Sequence, residues 1–493
     1  MAIDKAYLAF SRFGLGARPG DLARLGGDPA AALLAEIADP TNLFLADDGL
    51  PSTPDAYTEV RKFQMARKAQ RSAADAALAA GSPAPAVMAG APVTADSADM
   101  TGMAAKPAKP GKGNAALAAL RKEMPNPGSL MDAEIAARLD QVNAASIGFG
   151  ERLVMFWANH FAVQAAADEG VRGMAGAFER EAIRPYVLGN FGDMALAATQ
   201  HPAMLLSLNN ATSIGPDSPQ GKKSHKGLNE NHARELMELH TVGVDGGYTQ
   251  ADVTSFAKVL TGWTFGRSEN EPELYGRFIF RKGAHEPGPQ TVMQKAYAQK
   301  GVDQGEAVIA YLASHPATAT HIASQLARYF VADVPDPVLV KRLADTFTKT
   351  HGDLKAVTIA LVNAPEAWAN PSGKLRTPQE FLWSAVRALG LDIKPNFVNR
   401  ALSDLGQPLW NPASPQGFKD DVATWLAPDA MTTRVDVAEL LAAQDKSTTD
   451  PRQLATDLFG DALSPDTKTT IERAESRTQA IAMLLMSPEF QRR

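Results

Sequence analysis

The segment GLNENHARELMELHTVGVDGGYTQADV, Gly227 to Val253, packs Glu230, His232, Arg234, Glu235, Glu238 and His240 into about three helical turns. Imidazoles beside carboxylates can hold a metal ion or pass a proton, and a guanidinium can clamp an anion. The helical wheel tests that idea. At about 100° per residue, Glu230, Asn231, Arg234, Glu235 and Glu238 fall on one face. His232, Ala233, Leu236, Met237, Leu239 and His240 fall on the other. His232-x-x-Glu235 also reverses the E-x-x-H order of di-iron bundles, and no H-E-x-x-H occurs. The helix is therefore two-faced. Glu230, Arg234 and Glu238 form an i, i+4 ladder, and His240 sits in an apolar stripe. Any site here must be completed by residues from elsewhere.

Two further histidines are the first to consider. In ERLVMFWANHFAV, Leu153, Phe156, Trp157 and His160 recur at i, i+3, i+4 and i+7, so His160 also faces a core. A buried imidazole needs a partner for each ring nitrogen, whether or not it does chemistry. His285, in KGAHEPGPQ, lies instead in a Gly- and Pro-rich loop beside Glu286, where site residues are commoner. His201 and His315 each precede a proline at a helix start and read as caps. VDGGYTQAD contains Asp245 and Asp252 but lacks the other oxygen ligands of a calcium loop. It reads as a glycine turn followed by a T-x-x-D capping box at Thr249 and Asp252. GLGARPG, at 14–20, has the wrong glycine spacing for a dinucleotide fingerprint, and neither a P-loop nor G-x-S-x-G is present.

The elements that must position these residues are mainly helical. Asp28-Pro29 and Asp336-Pro337 are N-cap and first-turn pairs. Helical patterning predicts elements over 53–80, 115–123, 130–147, 151–163, 170–181, 193–200 and 203–209, and dominates the last third. The one extended region is 274–293, where Phe278 and Phe280 alternate with polar neighbours, and a small β-hairpin is expected there. Residues 81–114 are rich in Ala, Pro, Gly, Ser and Lys without a period and read as a flexible surface insertion. The expectation is one large helical domain over 1–493, an orthogonal bundle-like globule carrying that insertion. With 45% hydrophobic residues such a core needs no staples.

Composition removes several chemistries. There is no cysteine, hence no disulfide, zinc-thiolate site, iron–sulfur cluster or thiol nucleophile. A net charge of −6 without a basic run argues against nucleic acid. No run of about 18 apolar residues suggests a membrane span. MAIDKAYLAFSRFGLGARPGD shows neither a sustained apolar region nor a cleavage pattern, so a cytoplasmic location is expected.

A resemblance adds to this reading. AFSRFGLGARPGD, FWANHFAV, EAIRPYVLGNFGDMALAATQHPAMLLSLNN, GLNENHARELMELHTVGVDGGYTQADV, VLTGWTF, FIFRKGAHEPG and SPQGFKD stand in order along almost the full chain. Together they resemble the bacterial "domain of unknown function 1800" family. The resemblance implies no particular activity, cofactor or metal. It implies a set of characteristic polar positions: Asn159, His160, Asn229, Glu230, Arg234, Glu235, Glu238, His240, Trp263 and His285. At 232 the family usually has an aromatic residue, which assigns His232 to packing. Members are often encoded beside a sulfatase- or alkaline-phosphatase-like protein carrying a twin-arginine export signal. A partner of that kind is implied, and export to the periplasm together with it stays open.

Two functional readings follow. In the first, an enzyme acting on an envelope or polymeric substrate gathers His160, Glu235, His240 and His285 in a pocket between the 151–163 helix, the 230–242 helix and the hairpin. One histidine serves as general base or metal ligand, Glu235 orients it, and Arg234 clamps an anion. In the second, the chain is a non-enzymatic accessory or export partner of the phosphatase-like protein, with the Glu230–Arg234–Glu238 face and Trp410, Phe418 and Trp425 as contacts. A bland alternative has the charged residues simply tying helices together.

Overall fold

The 33 prolines of this chain are compatible with a helical protein because so many of them open helices. Asp28-Pro29, Asn126-Pro127, Asp336-Pro337, Thr377-Pro378, Asp450-Pro451, Ser464-Pro465 and Ser487-Pro488 all pair a side-chain N-cap with proline at the first helical turn. The cap accepts a free amide, and proline gives up an N–H that had no partner there. The structure is a computed structural model that describes residues 5–46, 49–79, 126–224, 227–268, 270–369 and 373–493. The 81–114 insertion and the 115–123 helix expected from sequence lie outside the described residues.

The fold is mainly α, with two small antiparallel pairs of strands among the described residues. Seven helices matter below: α1 (Pro127–Ala144), α2 (Phe149–His160), α3 (Glu169–Phe178), α4 (Asn231–Glu235), α5 (Gln250–Leu260), α6 (Pro316–Phe330) and α7 (Pro378–Leu389). One contiguous cluster of buried apolar side chains runs from Tyr7 to Phe490. The Tyr7 hydroxyl donates to the Glu489 carbonyl at 2.7 Å across that span. No helix among the described residues is long and apolar enough to cross a membrane.

The strands refine the expected hairpin. Phe278–Phe280 pairs not with its downstream neighbour but with Trp263–Phe265, in the register Trp263 to Phe280. Gln290–Val292 forms a separate tight hairpin with Lys295–Tyr297. Its two turn residues, Met293 and Gln294, both have positive φ (46° and 63°), as the turn that suits strand twist requires. GLGARPG is a packing device: a side chain on Gly14 would come within 2.4 Å of the Ile147 carbonyl, and Leu15 N donates to that same oxygen at 3.0 Å.

Buried charge, rather than apolar contact alone, fixes how α2 sits. Glu151 accepts two hydrogen bonds from Arg184, at 2.5 and 3.0 Å. Arg184 also donates to Glu179 at 3.0 Å through Nε, and Glu179 pairs with Arg138. The next residue, Arg152, lies 2.7 Å from Glu380, which in turn accepts from Arg493 Nε at 2.9 Å. All seven of these side chains are 4% exposed or less. Burial opposes ionisation of Glu179 and Glu380, but their arginines overcome it and hold both carboxyls below the usual range.

Among the described residues three single-turn π-helical segments, Ala9–Phe13, Glu179–Ile183 and Leu236–His240, extend helices by one wide turn. Each carries a buried ionisable residue: Arg12, Glu179 and His240. Such turns are uncommon and frequently mark functional positions.

Removing one arginine from the first network leaves two carboxylates short of a counterion in the core. Arg184→Met is expected to cost about 3–5 kcal/mol of stability. Urea unfolding followed by circular dichroism measures it, and a cost under about 1 kcal/mol, the range of surface pairs, would show that the network does not hold α2.

Candidate functional site

The two-faced helix is observed. His232, Ala233, Leu236, Met237 and His240 are buried, while Glu230, Asn231, Arg234, Glu235 and Glu238 are half-buried. Asn229 starts the helix by accepting from Asn231 N at 2.9 Å. The wide turn Leu236–His240 ends it, which leaves carbonyls at Leu239 and His240 for partners outside the helix.

Histidines from two other helices take those carbonyls. His160 Nε2, at the last residue of α2, donates to the His240 carbonyl at 3.1 Å. His321 Nε2, on α6, donates to the Leu239 carbonyl at 3.0 Å. Gln325, one turn after His321, lies between the rings: its carboxamide is 2.7 Å from His160 Nδ1 and 3.1 Å from His321 Nε2. The Gln325 oxygen is the atom placed at His160 and its nitrogen the atom at His321. With both rings neutral, turning the amide over lets its N–H₂ donate to His160 Nδ1, and the single Nε2–H of His321 is then shared between the Leu239 carbonyl and the Gln325 oxygen. The rings of His160 and His240 are 5.7 Å apart, those of His160 and His321 6.5 Å.

Burial keeps these rings uncharged. Desolvation, with His321 close by, pushes His160 down to about 4. Desolvation alone pushes His232 down to about 3, and burial holds His240 well below the ordinary histidine range. His232 is 0% exposed, and neither ring nitrogen has a hydrogen-bond partner among the described residues. That agrees with the packing role assigned to it from sequence.

The other sequence candidates lie apart from this cluster. Arg234 pairs with Glu230 at 3.2 Å and donates to Gln250 at 2.9 Å on the half-exposed face. Glu235 lies beside Glu238 and Arg234; burial first, then Glu238, raises its carboxyl. His285 makes its hydrogen bond through Nδ1 to the Thr261 carbonyl at 3.0 Å, and its ring meets Phe280. Thus His160 and His240 come together, whereas Arg234, Glu235 and His285 join neither. Among the described residues, no three His, Asp or Glu side chains stand in metal-ligating proximity. His321 and Gln325 were missed by sequence reasoning; their only signal was an i, i+4 pair of polar residues on an amphipathic helix. His201 and His315 are caps, each accepting through Nδ1 from an amide two residues on. Thr249 and Asp252 form the expected capping box.

On the opposite side of the α2 terminus lies a shallow cleft open to solvent. The preceding residue, Asn159, builds its wall. Its carboxamide accepts from Phe418 N at 2.7 Å and donates to Phe418 O at 2.9 Å, fastening the 407–420 segment. Gly417, at φ 78°, passes so close that a side chain there would come within 2.4 Å of the Asn159 carbonyl. Trp410 lies on the same segment with φ 51°, a left-handed conformation rare for a bulky residue. Its indole N–H donates to Glu179 at 3.0 Å, its carbonyl accepts from Ala165 N at 2.9 Å, and Arg138 lies 5.4 Å over its ring. Glu179, Arg138 and Trp410 all line the cleft. Two arginines and an indole already occupy the Glu179 oxygens, so Glu179 is a fixed acceptor and not a proton carrier.

The family model described as "Protein of unknown function (DUF1800)" matches residues 8–492. The chain belongs to this family. Neither a curated protein nor a solved structure matches it. The resemblance drawn from the motifs is thus shown over nearly the whole chain, and reading the site rests on its geometry.

The orphaned His232 yields a stability test. His232→Phe removes two unsatisfied buried nitrogens and should gain on the order of 1–3 kcal/mol at neutral pH. The buried histidines also set a pH dependence. Their folded pKa values are lowered, so the unfolded chain binds more protons below the ordinary histidine value of 6.5. Stability is full above that pH and declines as pH falls from 6.5 toward about 4. Urea midpoints taken between those limits should fall in the wild type and fall less steeply in His232→Phe; equal slopes would remove His232 from the explanation.

Proposed function

We propose that this protein binds a small hydrogen-bonding molecule, or the end of a polymer chain, in the cleft between α2, α3 and the 407–420 segment. The observation that carries this is Trp410. A left-handed tryptophan costs on the order of 1–3 kcal/mol, and such strain persists only where surrounding structure over-determines it, most often at binding and catalytic sites. Here the indole N–H, the carbonyl and the ring each have a fixed partner, so Trp410 is presented rigidly to the cleft.

The lining supports the same reading. Apolar walls from Met155, Val163, Leu409 and Phe418 enclose a few polar groups at fixed positions, the usual composition of a small-molecule site. Tyr329 also lines the cleft, its hydroxyl pushed up to about 12 by burial and so kept neutral beside Arg152. The histidine cluster is the seam that holds α2, α4 and α6 together behind the cleft. A ligand-binding protein is a third reading beside the two open from sequence, an enzyme with a His/Glu/Arg pocket and an accessory or export partner, and it rests on this cleft.

Ala158 lines the cleft and is half-buried, so Ala158→Trp fills the space without touching the ion network. A thermal-shift screen of sugars, sugar acids, nucleosides, amino acids and short peptides should find compounds that raise the wild-type midpoint by several degrees. The variant should keep its own midpoint within about 2 °C and lose those shifts. Equal shifts in both proteins, or none in either, would sink the cleft as the binding site.

A further inference from the structure

We infer that the ligand of this cleft is an uncharged, hydroxyl-rich ring compound, a saccharide unit or the end of a saccharide chain. This rests on the cleft being the binding site and goes on to its chemistry.

Charge is the first argument. Arg138 is paired with Glu179, and Lys419 is adjacent to Asp420 on the same wall. Behind the wall the buried Lys374 lies 2.8 Å from Asp333 and 3.5 Å from Asp420. Arg138 and Lys374 are thus ion-paired, and the formal charges of the lining residues Arg138, Lys419, Glu179 and Asp420 cancel. A phosphate or sulfate held by Arg138 or Lys374 would have to break one of these pairs, which leaves it the exposed Lys419 alone.

Hydrogen-bonding capacity is the second. Gln379 is 9% exposed, lines the cleft, and its carboxamide makes no hydrogen bond to any other described residue. Gln407 uses its oxygen to accept from Gln379 N at 2.9 Å, which leaves its N–H₂ group for a ligand. A free carboxamide offers an acceptor and two donors side by side. Adjacent hydroxyls, which also donate and accept, are its natural complement; a carboxylate or phosphate, which only accepts, leaves the amide oxygen unmatched.

The third argument is shape. Trp410 and Phe418 line the cleft together with these amides. A saccharide ring has an apolar C–H face and an equatorial belt of hydroxyls, so aromatic surface beside uncharged amides matches both. The cleft is open to solvent, so a chain end can enter without the chain being buried.

The test titrates the full chain calorimetrically with three neutral trisaccharides, cellotriose, maltotriose and chitotriose, and with galacturonic acid trimer and inorganic phosphate as charged comparators. At least one neutral trisaccharide is expected to bind, with affinity unchanged in roughly 0.5 M salt because nothing is there to screen. Gln379→Ala, whose side chain supports nothing else, should lower that affinity about tenfold or more, and Ala158→Trp should abolish it. If only the charged probes bind, and salt and Ala158→Trp both remove them, the saccharide inference is overturned while the cleft stands. Neutral binding that persists in Ala158→Trp overturns both. Absence of binding by every neutral trisaccharide overturns the saccharide inference.

Discussion

Adjacent residues on one helix, Glu151 and Arg152, point into two separate buried ion networks, and the rest of the structure is arranged around that pair. Glu151 reaches Arg184 and through it Glu179 and Arg138; Arg152 reaches Glu380 and Arg493. Neither network could sit in an apolar core with a partner missing, since an uncompensated buried charge costs several kcal/mol. The networks therefore fix the rotation and depth of α2 more tightly than apolar contacts, which tolerate sliding. Segments far apart in sequence, around 138, 184, 380 and 493, are brought to one helix. Arg152 also lies over Tyr329 and Phe330 of α6, at 5.1 and 5.7 Å, so the same helix is registered against the partner that carries His321.

Because α2 is fixed at its start, its end can be used twice. Asn159 and His160 are consecutive, and about 100° apart on the helix. Asn159 faces the 407–420 segment and His160 faces the wide turn of the 231–240 helix. His160, a candidate site residue from sequence, donates in three dimensions to a helix-end carbonyl of another chain segment. Helix ends with unsatisfied carbonyls need donors, and a π-helical turn that stops at a sharp bend leaves carbonyls its own chain does not reach. Neutral imidazoles do this without placing charge in the core.

This explains which parts were legible in the sequence. Helix starts were, because caps and prolines are local: Asp28, Asp336, Thr249 and the histidines before Pro202 and Pro316 all behave as read. The two faces of the 231–240 helix were legible because periodicity survives one wide turn. The partner of Phe278–Phe280 was not, because strand pairing with Trp263–Phe265 is set by the fold and not by nearby residues. Nor were Gln325 and Glu179. Glu179 looks like any glutamate on a polar stretch, and only the meeting of Arg138, Arg184 and Trp410 around it reveals a buried acceptor. The site was sought on the histidines because their side chains are rare and reactive. Reactivity of type says nothing about access, and these rings are enclosed.

Access is the property that separates the two sides of the α2 terminus. On the histidine side the ring N–H groups of His160 and His321 end on backbone carbonyls, His232 and the Nε2 of His240 are enclosed without a hydrogen-bond partner among the described residues, and burial holds the rings neutral. On the cleft side, the Asn159 clamp and the Glu179–Trp410 bond consume polar groups to hold the wall, while Gln379 and the Gln407 N–H₂ remain unspent. A binding site requires that division of labour, since groups that fix the wall cannot also greet the ligand without loosening it. Strain at Trp410 fits the same division. The backbone of the 407–420 segment is bent into a costly conformation whose compensation comes from Ala165, Glu179 and Asn159, on elements that α2 and its ion networks already hold in place.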